Sequence, residues 1–308
     1  LGSRWAYDVL GWGGYWGWDP VEVAALIPWL TGTAFVHSLI VQTRRNLFKR
    51  WNYVLIILTF CMVIFGIFLT RSGVLDSVHA FSQSSIGPMF FIFISLVFIA
   101  SLGLLIWRWN LLASEGQMES FFSRESAFLF NNLLFMLLFL ICLAGVLFPL
   151  VSELFTGTKI TVGPGWYNRT TGPVFGALLL LMGIVPLTAW GSTSARQLGK
   201  RLWIPALISL VVPGYALWRS GLNWGGVLGL WLITLAALVT LFDFGSAVRL
   251  RMQAQNASFF PALGWVFSHN HHRYGGYLVH LGVVMIALGV VGMQFYQTQT
   301  QQTLSRGD

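Results

Sequence analysis

Long apolar blocks dominate the chain, and short polar segments separate them. A helix needs about 20 mostly apolar residues to cross a bilayer. Such stretches predict eight transmembrane helices, near residues 22–42, 51–70, 87–109, 128–150, 174–190, 203–218, 224–243 and 275–295. The pattern divides the chain into an opening aromatic segment (1–21), a helix bundle (22–295) and a polar tail (296–308). The expected fold class is therefore all-α, a polytopic transmembrane helix bundle of about eight spans.

The composition is typical of a membrane protein and argues against other classes of protein. Only 9% of the 308 residues are charged, whereas soluble domains carry about 25%, and the mean hydropathy is +0.71. The net charge of +8 comes from basic residues in the short loops, so no nucleic-acid partner is expected. Cys61 and Cys142 lie inside apolar runs and are interpreted as buried thiols rather than a disulfide or redox pair.

The distribution of Lys and Arg predicts the orientation. When the loops are assigned alternately to two sides, six of the 18 basic residues fall on the side of the opening segment and twelve on the other. Cytoplasmic loops carry the excess of basic residues in membrane proteins. The opening segment is therefore expected to face outward, towards a periplasm-like compartment, and the 43–50 loop to face the cytoplasm.

Two of the six histidines, His37 and His280, lie inside predicted spans. Each is about five residues, or roughly 8 Å, from the cytoplasmic end of its helix, and the two helices run in opposite directions. Ionisable residues inside a membrane are usually functional. One interpretation is a shared metal centre, with the small residues around them leaving room for a haem. The other is two separate histidines that are each hydrogen-bonded within the bundle.

The opening segment is unusually rich in aromatic residues separated by glycines. The stretch WGGYWGWDPVE contains Trp12, Trp16 and Trp18, more rings than a membrane-interface anchor requires. A surface of this kind suits stacking against a large planar molecule. Asp19 and Pro20 predict the start of the first helix, with Asp19 as its N-cap and Pro20 in the first helical position.

Three motifs carry a resemblance to a known family: WGGYWGWDPVE, LTRSGVLDSVHAF and YGGYLVHLG. Together they resemble the WWD family of haem-handling membrane proteins, and within it the branch that forms the membrane subunit of cytochrome c haem lyases. The resemblance extends over essentially the whole chain. That branch has further helices before the tryptophan motif and an outward domain after the last matched helix, so this chain is expected to be truncated at both ends.

The resemblance implies a set of site residues. His37 and His280 would be the axial ligands of a resident transmembrane b-type haem, and His79 would be an outward ligand of the haem that is transferred. The second outward ligand lies, in the family, upstream of the tryptophan motif. The haem-facing wall of the outward segment would comprise Trp12, Trp16, Trp18 and Asp19.

The function implied is haem attachment in a bacterial inner membrane, with the tryptophan segment facing the periplasm. Haem as substrate would come from a haem chaperone, and the cysteine thiols of a CXXCH segment in apocytochrome c would form thioether bonds to it. Thiol-reducing and apocytochrome-presenting subunits are implied as partners, and quinol is a candidate electron donor for the b-type haem. The alternatives are a haem transporter or chaperone-docking protein without ligation chemistry, a paralogue dedicated to nitrite reductase, and a cytochrome b-type quinol oxidoreductase.

Overall fold

The computed structural model describes residues 16–74 and 86–298. Trp12, His79 and the tail after residue 298 lie outside these ranges. Eight helical segments in the described part are long and apolar enough to cross a membrane, with Ala195–Ser220 counted as one segment, and no strand occurs there. The predicted all-α, multi-pass class is confirmed.

The chain divides into two compact units. The first comprises Leu1–Phe121 and Glu125–Phe175, and the second comprises Phe122–Arg124 and Gly176–Asp308. The helices in chain order are α1 (Pro20–Arg45), α2 (Lys49–Ser72), α3 (Ile86–Trp107), α4 (Arg124–Thr156), α5 (Pro164–Ile184), α6 (Ala195–Ile208), α7 (Val211–Ser220), α8 (Trp224–Gln255), α9 (Phe259–His269) and α10 (His271–Tyr296). A short 3₁₀ turn, Val185–Leu187, follows α5.

Most predicted spans are found, but the fifth and sixth differ from expectation. The fifth was expected at 174–190, because the Gly- and Pro-rich stretch before it was interpreted as a loop, yet α5 already begins at Pro164. The sixth is broken between α6 and α7, because Pro213 has no N–H to donate to the carbonyl of Ser209. Thr234 Oγ1 lies within hydrogen-bond distance of that carbonyl, at 2.9 Å, and shares its single proton with the carbonyl of Leu230 at 2.7 Å.

In the first unit, α1 packs against α2 through small and polar side chains. Thr59 Oγ1 donates to Thr31 Oγ1 at 2.8 Å, and Asn52 Nδ2 donates to Gln42 Oε1 at 2.5 Å. Hydrogen bonds and small residues are the usual means of holding helices together in a membrane, where lipid provides no hydrophobic contrast. This contact fixes α1, the helix that carries His37.

In the second unit, α10 packs along α8. At one end a Cβ on Gly225 would lie 2.7 Å from the ring of Phe295, and one on Gly229 would lie 2.9 Å from Val291. The glycines therefore allow the two backbones to approach closely. Further along α10, Val284 is buried against Ile233 and Ala236, and this face of α10 is directed at α8.

Candidate functional site

The described part of the tryptophan segment is anchored to the start of α5. Trp18 has a left-handed backbone with φ of 57°. Its ring stacks on Tyr167 with a centroid distance of 4.7 Å and an interplanar angle of 1°. Its Nε1 donates to Asn168 Oδ1 at 2.8 Å, and Trp16 meets it edge-on at 5.6 Å. The segment is thus held by directional contacts within the first unit.

Tyr167 is the central residue of this aromatic cluster. The stretch GPGWYNRTTGP predicts an outward loop in which Trp166 and Tyr167 either extend the haem-facing wall or are interface aromatics. In the structure Tyr167 lies in the first turns of α5 and is only 2% exposed. Trp166 packs edge-on against it at 4.9 Å. A usable signal exists in the spacing of Tyr167, Thr171 and Val174, which are all buried and fall on one helical face.

Tyr167 fits because position 145 of α4 is glycine. A Cβ on Gly145 would lie 2.2 Å from the Tyr167 hydroxyl oxygen and 2.6 Å from Cζ. The phenol therefore lies directly over the α4 backbone and leaves no room for a side chain there. The neighbouring Trp166 lines a shallow groove of about 550 Å³ with Arg169 and Thr170.

The predicted N-cap at Asp19 is confirmed. Its side chain accepts from Val21 N at 2.9 Å, while Glu22 Oε2 accepts from the backbone N of Asp19 at 3.2 Å, completing a capping box. Glu22 Oε2 also accepts from Gly17 N at 2.9 Å. The capping box therefore fixes the junction between the aromatic cluster and α1. A direct role of Asp19 towards haem stays a prediction.

His37 is half-buried on α1 and lies against α4. Its Nδ1 donates to the carbonyl of Thr33 at 2.8 Å, and its ring lies 5.9 Å from Phe128 and 6.0 Å from Phe135. The backbone carbonyl can only accept, so the proton is on Nδ1 and the lone pair is on Nε2. Metal-ligating histidines usually donate their other ring nitrogen in this manner. His37 is eight residues before Arg45, the last residue of α1, rather than the expected five, because the helix continues beyond the apolar run.

His280 is half-buried on α10 in the second unit, nine residues after the helix begins at His271. Gly276 precedes it by one turn, and a Cβ there would meet no atom within 4 Å. Arg273 precedes it by two turns. Its Nη2 donates to Asp243 Oδ2 at 2.6 Å and its Nε to Tyr277 Oη at 3.2 Å. No local sequence pattern predicts this network, because Asp243 lies on α8, 30 residues before Arg273.

The two histidines belong to different units, so the structure describes each setting separately and their pairing stays a prediction. Each setting fits an axial ligand of haem: Nε2 of His37 carries the lone pair, and the Gly276 backbone beside His280 is open. His269 stacks on Trp265 at 4.1 Å. No group of three or more His, Cys, Asp or Glu side chains arranged to hold a metal ion occurs in the described ranges.

Comparisons with known proteins identify relatives over the whole chain. Residues 1–75 match the family described as Cytochrome C assembly protein. The cytochrome c-type biogenesis protein CycK of Bradyrhizobium diazoefficiens is 37% identical over 315 residues, which cover 100% of this chain and 46% of CycK. The probable cytochrome c-type biogenesis protein NrfE of Escherichia coli K12 is 41% identical over 214 residues, covering 68% of this chain and 36% of NrfE.

A solved structure is also similar. The structure of the cytochrome c heme lyase CcmF matches with a TM-score of 0.71 and 30% identity, covering 96% of this chain and 42% of that one. The chain spans about half the length of the curated relatives that it matches over its whole length.

Proposed function

Because the chain belongs to the cytochrome c assembly family, we propose that it holds haem at the outward membrane surface for covalent attachment to apocytochrome c. The observation that carries the proposal is the aromatic cluster of Trp16, Trp18, Tyr167 and Trp166. An interface anchor needs rings at the correct depth but no fixed mutual orientation. In this cluster Trp18 stacks on Tyr167, and Trp16 and Trp166 pack edge-on against them. A capping box fixes the segment to α1. An ordered aromatic wall of this kind suits a planar, amphipathic substrate.

The proposed reaction is the addition of two cysteine thiols of a CXXCH segment to the two vinyl groups of haem. In each addition the S–H bond breaks, sulfur bonds to one vinyl carbon and hydrogen to the other, so no external oxidant is required. The wall would hold the macrocycle while His79 binds its iron. His79 and Trp12 lie outside the described residues, and their roles rest on the resemblance.

His37 and His280 are proposed as the ligands of a resident b-type haem. The haem would supply an electron to the iron of the incoming substrate, and quinol is the candidate donor. The Thr33 carbonyl would keep the imidazole of His37 in one tautomer and orientation, which is the usual effect of a second-shell acceptor. A b-type haem between two histidines gives a low-spin spectrum that can be followed without any ligation assay.

The proposed setting is a bacterial plasma membrane with the aromatic cluster facing the periplasm. The twelve basic residues assigned to the opposite side support this orientation. Partners would be a haem chaperone, apocytochrome c and the subunits that reduce and present its thiols.

Covalent haem on a c-type cytochrome tests the proposal. In a strain whose maturation depends on this protein, Trp18→Leu should reduce haem-stained cytochrome at least tenfold, because it removes the stacked ring. Trp203→Leu is the matched control, since Trp203 is 55% exposed on α6 and belongs to the second unit. Equal staining in the two variants would contradict the role of the cluster. A wild-type protein that binds haem but forms no thioether product would favour a haem carrier.

A further inference from the structure

The face of α10 that carries His280 also carries an arginine held in place by two other side chains. At about 100° per residue, Arg273 is seven residues before His280 and is offset from it by roughly 20° around the helix. Gly276 is offset by roughly 40°. The three positions form one stripe along α10, about 10 Å long at 1.5 Å per residue. Gly275, by contrast, is offset by roughly 140° and lies on the other side of the helix.

Arg273 is preorganised by contacts on two of its three nitrogens. Asp243 Oδ2 accepts from Nη2 at 2.6 Å, and Tyr277 Oη accepts from Nε at 3.2 Å. Tyr277 in turn donates to the same Asp243 oxygen at 2.6 Å. No partner for Nη1 occurs among the described residues, and the side chain is 46% exposed. Two N–H groups of a fixed guanidinium are thus available for a further acceptor.

From this arrangement we propose that Arg273 binds a propionate carboxylate of the resident haem. The inference rests on the proposed function of His280 as an axial ligand. Haem has an iron atom at its centre and carboxylates at one edge, so a cation along the same helix face is suited to hold that edge. Guanidinium–carboxylate hydrogen bonds are charge-assisted and about twice as strong as neutral ones.

Gly276 provides the room that this arrangement needs. It lies on the stripe between Arg273, the proposed partner of the propionate, and His280, the proposed iron ligand. A Cβ at position 276 would meet nothing within 4 Å. The macrocycle can therefore approach the α10 backbone between the two. Asp243 contributes indirectly, because its carboxylate orients Arg273, so it is a positioning residue rather than a ligand.

The first experiment compares protohaem with its dimethyl ester, which keeps the macrocycle but has no carboxylates. The purified protein, produced under haem limitation, is titrated with each haem while the low-spin spectrum is recorded. The wild type is expected to bind protohaem about tenfold more tightly than the ester, the difference that one charge-assisted hydrogen bond typically makes. In Arg273→Gln the two affinities should become nearly equal, and Arg273→Lys should restore part of the difference. Equal affinities in the wild type, or an unchanged difference in Arg273→Gln, would overturn the proposal.

The second experiment uses adjacent glycines and does not depend on the stability of an arginine variant. Gly276→Leu should lower haem occupancy at least tenfold, whereas Gly275→Leu should keep it, although a Cβ at either position meets nothing within 4 Å. Equal occupancy in the two variants would show that haem does not lie on this face. His280→Ala separates this inference from the proposed function: full retention of the b-type spectrum in that variant refutes the ligand assignment itself.

Discussion

Gly145→Ala is expected to disturb the aromatic cluster by displacing Tyr167. The added Cβ would lie 2.2 Å from the Tyr167 hydroxyl oxygen, 2.6 Å from Cζ and 2.8 Å from Cε1. Ordinary contact begins near 3.4 Å, so the phenol must retreat by roughly 1.2 Å, the difference between 3.4 and 2.2 Å. Tyr167 is only 2% exposed and Trp18 stacks on it. The ring can therefore move only by displacing Trp18 or by separating α4 from α5.

The expected cost follows from three contributions. Overpacking a buried contact costs about 1–3 kcal/mol, and loss of the aromatic pair costs about 0.5–1.5 kcal/mol. In the opposite direction, replacing glycine by alanine inside a helix stabilises the helix by about 1 kcal/mol. The free energy of unfolding should therefore fall by about 0.5–3.5 kcal/mol. The amount of haem-stained cytochrome should also fall, because Trp18 would no longer be held in place.

The assay is thermal unfolding in detergent together with haem staining. Gly172→Ala is the matched control, because it lies on α5 with Tyr167 and its Cβ would meet nothing within 4 Å. The double variant Gly145→Ala/Tyr167→Phe removes the hydroxyl that makes the shortest contact and should recover part of the stability. The reasoning is refuted if Gly145→Ala unfolds at the same temperature as Gly172→Ala and supports the same staining.

Three further predictions concern other contacts. Asp19→Ala should lower stability by about 1 kcal/mol through loss of the N-cap, measured by thermal unfolding; an unchanged midpoint would contradict this. Glu125 is 3% exposed and pairs with Arg45, so Glu125→Gln should lower stability by about 1–3 kcal/mol. Glu119, which is exposed and 3.6 Å from Arg45, is the control, and equal losses in Glu119→Gln would count against a buried pair. Thr234→Val should cost about 1 kcal/mol, because the carbonyl at the α6–α7 break loses its donor; a neutral result would mean that water replaces it.

The histidine assignment can be checked by absorbance alone. His37→Ala should remove the low-spin b-type haem spectrum of the purified protein, because its Nε2 is the proposed ligand atom. His269→Ala should leave the spectrum intact, since that imidazole is exposed and stacks on Trp265. Full haem retention in His37→Ala would rule out the assignment.

The sequence alone determined the membrane class, the number of spans and the start of α1. These features are local: apolar length decides whether a helix can cross a bilayer, and the Asp19-Pro20 pair with Glu22 contains its own capping geometry. The end of α1 was not determined in this way. Apolar length does not mark where a helix ends, and α1 continues through polar residues to Arg45.

The tertiary structure decided which side chains complete each site. Trp18 donates to Asn168 across 150 residues of sequence, and Tyr167 reaches its position because α4 has a glycine beneath it. Arg273 is held by a carboxylate 30 residues away on another helix. Periodicity indicates that Tyr167 is buried, but no periodic or local signal identifies the partner in any of these contacts, because each contact joins parts of the chain that are distant in sequence. The sequence therefore indicated which single residues have suitable chemistry, but only the tertiary structure identified the residues that contact them.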